Sequence, residues 1–131
     1  MSLFQYTRSK LDVWLPEGAK EPCPLVVYFH GGGFKAGDKS RFARSPFLAK
    51  YLKRNVAFAA VNYPFLPDAG YLAIMSHCGE SIKFLKAKAQ EWNIDPTRIA
   101  VMGCSAGAMI SEHLTYWQDL GISACYAEQQ P

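Results

Sequence analysis

The sequence predicts an α/β fold, a mostly parallel sheet with helices on both faces. Three observations predict it. Apolar runs and amphipathic stretches alternate along the chain, the rhythm of strand and crossover helix. Residues 25–29, 56–61 and 99–102 are continuously apolar, as in strands buried on both faces. Two of these runs lead straight into glycine-rich turns, at His30-Gly31-Gly32-Gly33 and at Gly103-Cys104-Ser105-Ala106-Gly107.

The elements follow in order. Residues 4–8 and 11–15 read as two short antiparallel strands, and Pro16-Glu17-Gly18 turns the chain. The run at 25–29 is a buried strand. Residues 30–39 are too glycine-rich for regular structure. Ser45-Pro46 opens a helix through Lys53, with proline where its missing N–H does no harm. The run at 56–61 is the next strand, and 62–70 forms a loop. Ile74, Cys78, Ile82, Leu85 and Ala89 recur at three or four, which predicts a helix over 71–92. Asp95-Pro96 separates it from the strand at 99–102. A helix over 105–117 and a parallel strand over 122–126 complete the chain.

Composition narrows the classes of function. The 131 residues suffice for one domain with a core, and half of them are hydrophobic. Fourteen basic against eleven acidic side chains give a net charge of +3. That balance, with no basic run, argues against nucleic acid as a partner. No apolar run approaches the roughly 18 to 20 residues of a membrane span. Cys23, Cys78, Cys104 and Cys125 lack metal-ligand spacing and are read mostly as buried free thiols. No cofactor or metal motif is present among the three histidines and these cysteines.

The motif Gly103-Cys104-Ser105-Ala106-Gly107 matches G-x-S-x-G, with a buried strand before it and a helix after it. A serine at such a turn is held on a strained backbone, and small neighbours let the turn pass adjacent strands. The helix N-terminus beneath it offers free N–H groups to a developing oxyanion. Glycines packing a tight βα turn are the plainer reading of the same pattern. The run His30-Gly31-Gly32-Gly33-Phe34 leaves backbone N–H groups unobstructed for the same purpose. A phosphate loop would need a Gly-Lys-Ser/Thr ending, which is absent. The two motifs lie about 75 residues apart, each at the carboxyl end of a strand, where open α/β sheets place their sites.

These motifs, with Gly37-Asp38-Lys39, Val61-Asn62-Tyr63 and Ile94-Asp95-Pro96-Thr97-Arg98-Ile99, resemble the esterase/lipase branch of the α/β-hydrolase superfamily. The resemblance is nearest to bacterial carboxylesterases of the BD-FAE-like and hormone-sensitive-lipase-like groups, and runs from Leu11 to Tyr126. It implies a three-layer α/β-hydrolase sandwich that hydrolyses small carboxylic esters through an acyl-enzyme, without a cofactor. It implies Ser105 as nucleophile and Gly32, Gly33 and Ala106 as donors of the oxyanion N–H groups. His30, Gly31 and Asp38 would support the loop. The chain departs from many relatives at Pro64, Cys104 and Ala108, where an arginine, an acid and a glycine are common.

A nucleophilic serine needs a base within hydrogen-bond reach and an acid to orient it. In this superfamily both follow the serine, acid first, and the chain continues only about 26 residues past Ser105. His113, eight residues into the following helix, falls roughly 12 Å along its axis. His77 belongs to the long crossover helix, and His30 to the glycine loop. Asp95 and Asp119 lie at the opposite edge of the sheet, and Asp38 and Asp68 precede the serine. Cys104 is not at the apex of the turn. The expectation is an incomplete α/β-hydrolase domain over 1–131, lacking the segments that bear the acid and the histidine. The strand at 122–126 would then be an exposed apolar edge, prone to self-association. Two alternatives stand beside a fragment inactive on its own. One is a non-catalytic module that binds or self-associates through the cleft. The other is a site completed in trans by a second chain.

Overall fold

The computed structural model describes residues 10–40, 45–117 and 120–128. Eight elements follow one another: β1 (Leu11–Trp14), β2 (Cys23–Phe29), α1 (Pro46–Lys53), β3 (Ala57–Val61), α2 (Tyr71–Ala87), β4 (Ile94–Cys104), α3 (Ala106–Thr115) and β5 (Ala124–Glu128). The strands form one sheet in the order β1-β3-β2-β4-β5. β3, β2, β4 and β5 run parallel, and β1 alone is antiparallel.

Alternation along β3 shows why helices cover both faces. Ala57, Ala59 and Val61 join a core with Ile74, Ile82 and Leu85 of α2 and Ile110 and Leu114 of α3. Phe58 and Ala60 point the other way, into a smaller cluster with Tyr28 and Leu48. A strand buried on both sides must be apolar at every position, and β3 is (Ala-Phe-Ala-Ala-Val).

Several expected boundaries shift. β1 pairs with β3, Leu11 opposite Val61, while residues 4–8 lie outside the described residues. α2 ends at Ala87, short of Trp92, and a turn carries the chain on, with the Ile94 N–H donating to the Ala89 carbonyl at 2.8 Å. Ala89 and Trp92 still pack on the core, so the apolar period outlasts the helix. β4 begins at Ile94, well before residue 99. Cys23 pairs with Ile94 and Leu25 with Ile99. The register shift between them takes Pro96, which has no N–H to donate, out of the ladder. Cys23 and Cys78 are buried, whereas Cys104 is half-buried and Cys125 is exposed; all four are free thiols. Two of the four are therefore not buried, Cys125 because β5 is the last strand of the described sheet.

Candidate active site

Phe29 pairs with Gly103 at the carboxyl ends of β2 and β4. That single register brings the glycine loop and the serine turn side by side. Ser105 caps α3 with φ 58° and ψ −118°, a left-handed backbone that a side chain adopts only under strain. Both motif glycines are required sterically. A Cβ on Gly103 would strike the backbone of Gly107, and one on Gly107 would strike the Phe29 carbonyl. Ser105 is exposed, and Ala106 is buried as the first residue of α3.

The glycine loop closes on this turn. A Cβ at Gly31 would lie 2.8 Å from the Cys104 carbonyl and 3.5 Å from Ser105 Cβ, so only glycine permits the approach. Gly32 (φ 130°), Gly33 (φ 63°) and Phe34 (φ 62°) then turn through the left-handed region. The Gly32 carbonyl accepts the Lys35 and Ala36 N–H groups at 3.1 and 3.0 Å. Gly32 and Gly33 remain exposed.

A buried layer holds the loop from behind. The ring of His30 is fully buried, stacks on Tyr63 at 4.4 Å between centroids, and meets the edge of Phe65 at 5.9 Å. Its Nδ1 is 2.8 Å from the Gly31 carbonyl, placing a donor there in the Nδ1–H tautomer. The Tyr63 hydroxyl donates to the His30 carbonyl at 2.5 Å. Asn62 makes the second clamp: its Oδ1 accepts the Lys39 N–H at 2.7 Å, and its Nδ2 donates to Asp38 Oδ1 at 3.1 Å. Asp38 Oδ2 accepts the Ser40 N–H at 2.9 Å. These bonds hold the Asp38 carboxyl well below the usual carboxylate range, Ser40 chiefly, then Asn62 and the charge of Lys39. Lys39 in turn pairs with Asp12 of β1 at 2.6 Å.

The structure thus gathers Ser105, Ala106 and Gly31 at one edge, with His30 and Asp38 beneath the loop. Asn62 and Tyr63 carry more of the loop's support than the sequence reading assigned. Their signal was an Asn-Tyr pair directly after a buried strand. The other titratable groups are placed elsewhere. His77 is buried on α2. His113 is exposed on α3, edge-on to Tyr71 at 6.3 Å. Asp95 accepts from Thr97 and Arg98 at the start of β4, and those bonds, Thr97 first, lower its pKa. Asp68 is exposed in the loop before α2, and Asp119 lies outside the described residues. No group of three His, Cys, Asp or Glu residues that could hold a metal occurs among the described residues. No helix among them is long and apolar enough to cross a membrane.

A parallel sheet with helices on both faces, a strained serine between β4 and α3, and a glycine loop packed against it define an α/β-hydrolase of the esterase branch. Solved structures share the fold. The bacterial heroin esterase superposes with a TM-score of 0.76 over 98% of this chain and 47% of its own, at 23% identity. An arylesterase superposes with a TM-score of 0.73 over 88% of this chain and 38% of its own, at 24% identity. Within that class the chain belongs to the BD-FAE family, whose profile matches residues 11–122. Curated relatives include a probable isoprenylcysteine alpha-carbonyl methylesterase of Oryza sativa subsp. japonica, 30% identical over 79% of this chain and 25% of that protein. A carboxylesterase of Mycobacterium tuberculosis is 32% identical over 76% of this chain and 31% of that protein. The chain spans about a quarter to a third of the length of these two relatives.

Proposed function

We propose that this chain carries the nucleophile half of a serine carboxylic-ester hydrolase acting on small acyl esters. The observation that carries the reading is Ser105 itself: exposed, strained at φ 58°, with Gly31 packed against it. In this reading Ser105 Oγ attacks the ester carbonyl, and a base takes its proton. The N–H groups of Gly32, Gly33 and Ala106 receive the developing oxyanion. The alkoxide leaves, protonated by the same base, and water releases the acid from the acyl-enzyme. His30, Gly31 and Asp38 keep the loop in place. In this reading His30, His77 and His113 are not that base: His30 stacks on Tyr63, His77 is buried on α2, and His113 lies about two turns along α3.

A fluorophosphonate probe tests the nucleophile. The expected result is slow formation of one adduct, mapped to Ser105 and absent from Ser105→Ala. A folded sample that takes no label favours a binding module without catalysis. Turnover of p-nitrophenyl acetate by these residues alone is expected to be negligible. Turnover that disappears in Ser105→Ala would instead reveal a base within them.

The second reading concerns assembly. Ala124, Cys125 and Tyr126 are exposed on the edge strand β5. Beside them runs an apolar groove of about 540 Å³ lined by Val26, Phe47, Tyr51, Met102 and Tyr126 among others. Such an edge pairs readily with another strand, so self-association through β5 is expected, with completion of the site in trans as its catalytic extreme. Size-exclusion chromatography with light scattering decides it, and a monomer at high concentration rejects it.

A further inference from the structure

From the way the return limb of the glycine loop is tied down, we propose that Asn62 is a positioning residue for the reaction at Ser105. It acts through residues 37–39 on the N–H groups of Gly32 and Gly33, not on the reacting atoms. The assignment rests on Ser105 being the nucleophile. The loop leaves β2 at His30 and comes back over its own beginning at Gly37. Gly37 has φ 104°, and a Cβ there would strike the Gly31 carbonyl and Nδ1 of His30. The same Gly31 lies against the Cys104 carbonyl and Ser105 Cβ. Gly31 therefore touches both the return limb and the serine turn, and Gly32 and Gly33 follow it directly. Backbone packed this closely transmits a shift instead of absorbing it.

Asn62 sets where that limb stands. It follows β3 directly and is 6% exposed. Its backbone N–H donates to the Lys10 carbonyl at 2.9 Å, beside β1, which fixes the residue to the sheet. Its side-chain amide then grips the limb at two consecutive residues: the Lys39 N–H at 2.7 Å and Asp38 Oδ1 at 3.1 Å. The Lys39–Asp12 ion pair runs alongside, but it is open to solvent, where such pairs contribute little. The nearly buried amide is thus the stiff part of the tie. Its position matters for chemistry because a misplacement of about 1 Å can cost about a hundredfold in rate.

The test follows the rate at which a fluorophosphonate labels Ser105, whose Oγ displaces fluoride while the phosphoryl oxygen takes the oxyanion's place. All variants are compared at a temperature where circular dichroism shows them fully folded, so that lost stability alone does not change the rate. Asn62→Ala is expected to label about tenfold more slowly than the parent. Asn62→Asp sets two carboxylates face to face and should be at least as slow. Asn62→Asp combined with Asp38→Asn reverses the donor across the 3.1 Å contact. The carboxylate at position 62 then accepts the Lys39 N–H and the new amide at position 38, whose oxygen still accepts the Ser40 N–H. This double variant should return to within about twofold of the parent. The Gly32 and Gly33 amide resonances should shift in the single variants and return in the double one. Should Asn62→Ala fail to fold, Asn62→Asp and the double variant carry the same comparison. Parent-like labelling in the folded single variants, or a double variant no faster than Asn62→Asp, overturns the proposal while the nucleophile stands. A parent that takes no label overturns it too, and locates the fault in the nucleophile reading.

Discussion

Replacing Tyr63 by phenylalanine isolates one bond that holds the glycine loop. The Tyr63 side chain is fully buried, and its hydroxyl donates to the His30 carbonyl. Phenylalanine keeps the ring stacked on His30 and the edge contact with Phe65, so only the hydroxyl is lost. Removing one partner of a buried hydrogen bond costs about 1–3 kcal/mol. For a chain of this size each kcal/mol lowers the melting temperature by about 4 °C, so Tyr63→Phe should melt about 4 to 12 °C below the parent. Tyr63→Ala removes the stack as well and opens a cavity, at about 3–5 kcal/mol. Urea unfolding gives the free energies, and hydrogen exchange at residues 31–33 locates the loosening. A Tyr63→Phe midpoint indistinguishable from the parent, within a few tenths of a kcal/mol, would refute the claim that this bond anchors the loop.

Three further outcomes follow from the same geometry. Ser105→Gly relieves the backbone strain, so it should gain about 1 kcal/mol in chemical denaturation while losing all fluorophosphonate labelling. Gly107→Ala forces a methyl into the Phe29 carbonyl and should lose several kcal/mol or fold poorly; a parent-like melting curve would contradict the tight α3–β2 contact. Asp38 has a folded pKa below its unfolded value, so its contribution is present above about pH 4 and is lost as pH falls toward the folded value. Asp38→Asn should therefore flatten the acid limb of the stability profile below about pH 4 and lower stability at pH 7.

The parts legible in the sequence were those where one physical demand acts alone. Phe58 and its neighbours in β3 are apolar because both faces are covered, so the strand reads directly as a run. The serine turn reads directly too, since Gly103 and Gly107 admit no side chain. Where two demands overlap, the reading slipped. Ala89 and Trp92 keep a helical apolar period because the turn after α2 packs on the same core, so the helix appears longer than it is. Pro96 suggests a break, yet β4 passes through it by shifting register against β2. The ladder of β1 with β3, about fifty residues along the chain, carries no local sequence signal. The support given by Asn62 and Tyr63 was the least visible part, because it depends on side-chain bonds to a loop more than twenty residues earlier.

The pairing of β2 with β4 has a kinetic side. Phe29 and Gly103 are neighbours in space but about 75 residues apart in sequence. Parallel strands so separated must close a long loop before any contact rewards them, which makes such pairings slow. Until that closure the serine turn has no glycine loop beside it. Reactivity at Ser105 should thus emerge with the last cooperative step of folding, and a serine-directed probe added during refolding would time the assembly of the sheet.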